Sequence, residues 1–160
     1  MLRYELLHPG LVAALAAAGH GSRVLLADAN YPHSTGARPG AARVHLNLRP
    51  GLLTVDQVLE VLLDAVPVES AAVMVPGGVA GDVVAAGEEI PAHTGYRAML
   101  GPDVGWDELD RFAFYDAARS DDVAVLVATG DQRVYANLLL TIGVRSPRAQ
   151  HEPDSSPATA

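Results

Sequence analysis

Three short apolar runs, separated by helical patterns, constrain this sequence more than any other feature. "RVLLADA" (23–29), "SAAVMV" (70–75) and "VAVLVATG" (123–130) are rich in branched residues and end in turn residues. Strands covered on both faces require continuous apolar runs of this kind. Between the first two, "TVDQVLEVLLDAVP" has the helical period. Val55, Val58, Leu59 and Leu62 share a face, Thr54 and Gln57 have capping-box spacing, and Pro67 follows the end. His8-Pro9-Gly10 with "LVAALAAAG" reads as a helix that starts on a proline and stops at Gly19. "WDELDRFAFYDAARS" (106–120) reads as one helix, with acidic residues in its first turns where the dipole favours them. Helices alternating with buried strands predict an α/β fold, a single domain with a largely parallel sheet flanked by helices.

The remaining segments are weaker. "VHLNL" (44–48) alternates as an edge strand does, and residues 30–43 are turn chemistry, read as an exposed loop. Residues 76–100 stay ambiguous, with "PGG" opening a loop and a weak helical pattern around "GYRAML". A turn at Asp131 and an apolar run from Leu138 close the domain at about residue 145. Residues 146–160 are rich in Pro, Ser and Ala and are expected to be a disordered tail.

Composition excludes several function classes. The 160 residues carry a formal net charge of −8 with no cluster of Lys and Arg, so no nucleic-acid partner is expected. There is no cysteine, hence no disulfide, thiolate nucleophile or zinc-thiolate site. Neither a secretory leader nor an apolar stretch of the roughly 20 residues that a membrane span needs is legible. A soluble cytoplasmic protein is the expectation. The glycines of "VPGGVAGD" match neither a phosphate loop nor a dinucleotide fingerprint and read as turn residues.

Candidate chemistry gathers around "GHGSRVLLADANYPHS". His20 stands between two glycines that leave its ring open to a small ligand, and Asp28 follows at the far end of the strand. Loops after the carboxyl ends of parallel strands are where open α/β sheets bind ligands. Asp28 ends one such strand, and Tyr135 and Asn137 come a few residues after another. Seven extended residues at ~3.3 Å each would part His20 from Asp28 by roughly 23 Å. Either the strand is shorter or bent, or the site closes between subunits. A metal set of His8, His20 and His33 has no supporting ligand spacing. In isolation, "RFAFY" reads as core aromatics beside a solvated Arg111.

Taken in order, "GHGSRVLLADANYP", "RFAFYDAA" and "ATGDQRVYANLLLTIGV" resemble the D-ribose pyranase / L-fucose mutarotase family. The similarity runs from about Leu11 to Val144. Its most specific elements are GH followed eight residues later by Asp, and YAN leading into an apolar segment that ends in GV. "RFAFY" is nearer the fucose mutarotase branch, since the ribose branch tends to carry His where Arg111 stands. The departures are a shifted "PHS" after Asp28, a weakly matching middle region and the added tail.

The resemblance implies a monosaccharide mutarotase that interconverts the α and β anomers of L-fucose or a similar sugar by acid/base ring opening and closing. His20 would be the acid/base, Asp28 would bind a sugar hydroxyl or support the reacting groups, and Arg111, Tyr135 and Asn137 would complete the pocket. It also implies a ring-shaped homo-oligomer, commonly a decamer, with the sugar at a subunit boundary. The residue types suit that chemistry. Opening a sugar ring needs a proton delivered to the ring oxygen and another taken from the anomeric hydroxyl, which a histidine of ordinary pKa near 6.5 can do. No cofactor or metal is needed. A D-ribose pyranase and a non-catalytic sugar-binding protein are the alternatives, and a contribution from His33 is left open.

Overall fold

The computed structural model describes residues 5–78 and 83–146. Ten elements follow one another: α1 (Pro9–Ala17), β1 (Arg23–Ala27), β2 (Ala42–His45), α2 (Val55–Ala65), β3 (Val68–Val75), α3 (Pro91–Leu100), β4 (Gly105–Asp110), α4 (Arg111–Ala118), β5 (Val123–Ala128) and β6 (Leu138–Ile142). The six strands form one sheet in the order β2-β5-β1-β6-β3-β4. β1 and β2 pair parallel with β5, and β3 pairs parallel with β4, while β6 lies antiparallel between β1 and β3. β6 is therefore the only reversed strand among the described residues. The largely parallel sheet expected from the sequence is present, with one antiparallel insertion at its centre.

The apolar runs explain this arrangement. Val24 to Ala27, Val125 to Ala128 and Leu138 to Leu140 are all buried, and they form the middle of the sheet. Fully burying one Leu or Val side chain contributes roughly 1.5–3 kcal/mol, so these three strands dominate the core. α2 packs its expected face inward, with Val55, Val58, Leu59 and Leu62 buried. Its capping box is complete: Thr54 Oγ1 accepts from Gln57 N–H, and Gln57 Oε1 accepts from Thr54 N–H at 2.9 Å. α1 begins with Pro9, and its N-cap is His8, whose Nδ1 accepts from Leu11 N–H at 3.1 Å.

Two segments differ from the sequence reading: the loop at 30–43, read as exposed, buries Tyr31, Ala37 and Ala41, and the helix read at 106–120 is divided. Residues 106–120 are not a single helix. Gly105–Asp110 is the edge strand β4, and the helix begins only at Arg111. The Asp110 carboxylate takes the Phe112 and Ala113 N–H groups, so one residue both closes the strand and caps the helix. The edge strand read at 44–48 is β2, two residues earlier. The ambiguous 76–100 region contains α3. Residues 147–160, nearly all of the expected tail, lie outside the described residues, as do residues 79–82 of "VPGGVAGD".

Candidate functional site

Five strands run the same way, so the sheet has a carboxyl edge and an amino edge. Asp28 follows the carboxyl end of β1 directly. The reversed β6 starts at that same edge, which brings Asn137 beside Asp28. The two side chains clasp. Asp28 N–H donates to Asn137 Oδ1 at 2.9 Å, and Asn137 Nδ2 donates to Asp28 Oδ2 at 2.8 Å. The other carboxylate oxygen closes an Asx turn by accepting Asn30 N–H at 2.9 Å. His33 Nε2 donates to the Asp28 carbonyl at 2.7 Å, so His33 braces the loop after the strand. Both Asp28 and Asn137 are 3% exposed.

Burial governs the charge of Asp28. It pushes the carboxyl up to about 6, against the pull of the Asn30, Tyr31 and Ala136 backbone N–H groups, with a further push from the nearby Asp131 charge. Asp131 behaves oppositely. Burial raises it, but hydrogen bonds from Arg133 and from Val55 N–H outweigh that and hold it below the usual range. Asp131 thus ties α2 to the loop after β5, with Arg133 also reaching Asp56.

Arg111 stands at the same edge, as the first residue of α4 after the carboxyl end of β4. Its guanidinium lies 5.9 Å from the centre of the Tyr115 ring, and Tyr115 packs on Tyr31, three residues past Asp28, at 5.5 Å. The reading of "RFAFY" as core aromatics holds only in part. Phe114 is fully buried, Arg111 and Tyr115 are half-buried, and Phe112 is 64% exposed. Tyr135 is buried and has a positive φ of 58°.

His20 is at the other edge. Gly19 to Ser22 form a turn closed by Ser22 N–H donating to the Gly19 carbonyl, and Gly21 takes the φ of 80° that the turn needs. Gly21 N–H also donates to Ile142 at the end of β6, which anchors the turn to the sheet. The His20 side chain is 59% exposed, and its Nε2 lies 3.0 Å from Glu69 Oε2. Sequence reasoning missed Glu69. It sits where the pairing of β3 with β6 slips between Val68 and Ser70, a bulge, and bulges re-aim side chains. The only sequence signal was one acidic residue leading into an apolar run.

Asp28, Asn137, Tyr135 and Arg111 therefore share the carboxyl edge, while His20 pairs with Glu69 across the sheet. The three histidines weighed as a metal set are engaged apart, His8 at a helix cap, His20 with Glu69 and His33 on the Asp28 loop. Two depressions in the single chain, of about 380 and 840 Å³, include none of Asp28, Asn137, Arg111 or His20. Among the described residues, no helix is long and apolar enough to cross a membrane.

The fold and this edge define a class: a mixed six-stranded α/β domain with a buried carboxylate–amide clasp at its carboxyl edge. The chain belongs to the RbsD / FucU transport protein family, whose model matches residues 1–145. A fucose mutarotase of Bos taurus is 35% identical over 154 residues, covering 89% of this chain and 92% of that protein. A D-ribose pyranase of Paracidovorax citrulli is 33% identical over 144 residues, covering 90% and 98%. Among solved structures, the fucose mutarotase of Streptococcus pneumoniae in complex with L-fucose superposes with a TM-score of 0.69 at 29% identity, covering 87% and 94%. RbsD of Bacillus subtilis complexed with D-ribose has a TM-score of 0.73 at 23% identity, covering 91% and 100%, a likeness of fold.

Proposed function

We propose that this protein is a monosaccharide mutarotase that interconverts the α and β anomers of L-fucose or a closely similar sugar. The sequence relationship to fucose mutarotases carries the reading, and the Arg that opens "RFAFY" supports that branch over ribose pyranases. Asp28 and Asn137 bind sugar hydroxyls, since a carboxylate and an amide in a clasp are fixed acceptors and donors. Arg111 and Tyr135 complete the recognition surface. His20 moves the proton between ring oxygen and anomeric hydroxyl, with Glu69 orienting its imidazole. The ring opens to an aldehyde, the carbonyl turns, and the ring closes on either face.

The site is shared between copies. His20 lies on the opposite edge of its own chain from Asp28, so the His20 that serves one Asp28 comes from a neighbour. Joining two different edges is a head-to-tail contact, which closes into a ring when the rotation permits. Exposed Leu48 and Phe112 near the carboxyl edge support such a contact. So does the groove between Leu15, Leu63 and Pro67, near the Glu69 end of β3. A cytoplasmic ring, a decamer in size, is the assembly proposed.

Saturation-transfer NMR on L-fucose and D-ribose tests the reaction. Anomer exchange on fucose faster than in buffer is the expected result. Exchange between pyranose and furanose forms of ribose alone would instead make the protein a pyranase. Binding with no exchange on either sugar would leave a sugar-binding protein and overturn the enzyme reading.

A further inference from the structure

The segment that delivers Asn137 to Asp28 is held from behind by α3. His93 Nε2 lies 2.8 Å from the Tyr135 carbonyl, and a carbonyl only accepts, so the imidazole proton is on Nε2. Three residues further along α3, the buried Tyr96 hydroxyl donates to the Ala136 carbonyl at 2.9 Å. Residues three apart are neighbours on a helix surface, so α3 offers two donors to two successive carbonyls.

Those carbonyls flank a strained bend. Tyr135 has a φ of 58°, in the left-handed region that an aromatic L residue rarely adopts without outside support. The bend sets the direction in which Asn137, two residues on, presents its side chain. The His93 ring is itself fixed. Trp106 of β4 meets it edge-on at 6.2 Å, and the Arg97 guanidinium lies 4.4 Å from the centre of the Trp106 ring. Burial lowers the His93 pKa, which favours the neutral ring, and Nε2 keeps its proton in either charge state.

We infer that His93 and Tyr96 are positioning residues of the sugar site, holding the Tyr135–Ala136 bend so that the Asn137 amide meets Asp28. The inference rests on Asp28 and Asn137 lining that site. Neither His93 nor Tyr96 need touch sugar, because each acts through a backbone carbonyl.

His93→Ala and His93→Gln test it, read by the Asn137 side-chain amide resonances without sugar and by KM and kcat of anomer exchange. The Asn137 signals are assigned by their loss in Asn137→Asp. In His93→Ala the Asn137 amide pair is expected to shift or broaden. KM should rise about three- to tenfold, the scale of one neutral hydrogen bond, with kcat less affected. His93→Gln should restore both, because the glutamine amide presents an N–H near the Nε2 position. Asn137 signals in His93→Ala that coincide with the wild type would overturn the inference. If the wild-type protein exchanges no sugar, the functional reading fails, while the sugar-free Asn137 signals still decide the positioning role.

Discussion

Asp28 and Asn137, 109 residues apart in sequence, hold each other by two hydrogen bonds that run in opposite senses, backbone to amide oxygen and amide nitrogen to carboxylate. The clasp joins the carboxyl end of β1 to the start of β6, the reversed strand at the centre of the sheet. A single contact therefore fixes the local fold and, in the proposed site, the polar surface that would meet a sugar. Asn137→Ala removes both bonds and leaves the buried Asp28 N–H without its acceptor. It should cost roughly 1–3 kcal/mol of stability, from the desolvation of unpaired groups, and abolish detectable sugar saturation. Chemical denaturation and exchange kinetics on the same samples check both. An equally stable, fully active variant would remove the clasp from the site.

The raised pKa of Asp28 has a defined consequence. The folded protein holds this proton more tightly than the unfolded chain, whose carboxyl titrates near 3.8. The associated stability is fully present below pH 3.8 and is lost as pH rises through about 6. The interval between the two values corresponds to at most roughly 3 kcal/mol. Asp28→Asn should flatten that part of the pH–stability profile, and the slope is the readout because the amide substitution also changes the baseline. Sugar affinity should move the other way, weakening as pH falls through about 6 and the carboxylate loses acceptor capacity. A directly measured Asp28 titration near the ordinary value would contradict both.

How much of this was legible in the sequence follows from what each element depends on. β1, β5 and α2 are specified by their own apolar patterns, so their residues announced them. β4 is specified by its partner. "GWDELD" is largely exposed at the sheet edge, and its acidic residues resemble the first turn of a helix. Only pairing with β3 makes it a strand. The direction of β6 is likewise a tertiary fact, and it is what brings Asn137 to Asp28. Glu69 depends on a bulge, which no local pattern in β3 records. His93 lies in the stretch where only a weak helical pattern was readable, and its proposed role works only through the carbonyl of Tyr135. Asp28, Arg111, Tyr135 and Asn137 were identified as candidates, but their convergence on one edge required the sheet.

Gly130 is fixed by close approach rather than by chemistry. A Cβ there would lie 2.3 Å from the Leu52 carbonyl oxygen and 2.5 Å from that of Arg49. The same backbone makes hydrogen bonds with Gly51 and Leu53, so the loop cannot retreat without losing them. Gly130→Ala should cost about 1–3 kcal/mol, the usual penalty for overpacking. A thermal unfolding midpoint equal to the wild type would show that the loop yields freely.

Arg111 is the residue proposed to distinguish one sugar from another. Its side chain is half-buried against Tyr115 and makes no ion pair with a carboxylate among the described residues. Arg111→Ala should raise KM for fucose roughly ten- to a hundredfold, the scale of a hydrogen bond from a charged donor. Arg111→His keeps a donor and should retain more activity, with the ratio of fucose to ribose exchange shifted toward ribose. Unchanged exchange on both sugars in both variants would make Arg111 a solvated helix residue.

Co-expression of His20→Ala with Asp28→Ala tests the shared site most directly. Each variant alone should lower anomer exchange, His20→Ala by ~10²–10⁴, the range for loss of a general acid/base. If the histidine of one copy serves the aspartate of the next, a mixed ring contains boundaries where both are wild type. With equal amounts of the two chains, about a quarter of the boundaries are intact, so about a quarter of wild-type exchange should return. Exchange in the mixed assembly no greater than the average of the two parents, with mixing verified by mass, would contradict a site built from two subunits.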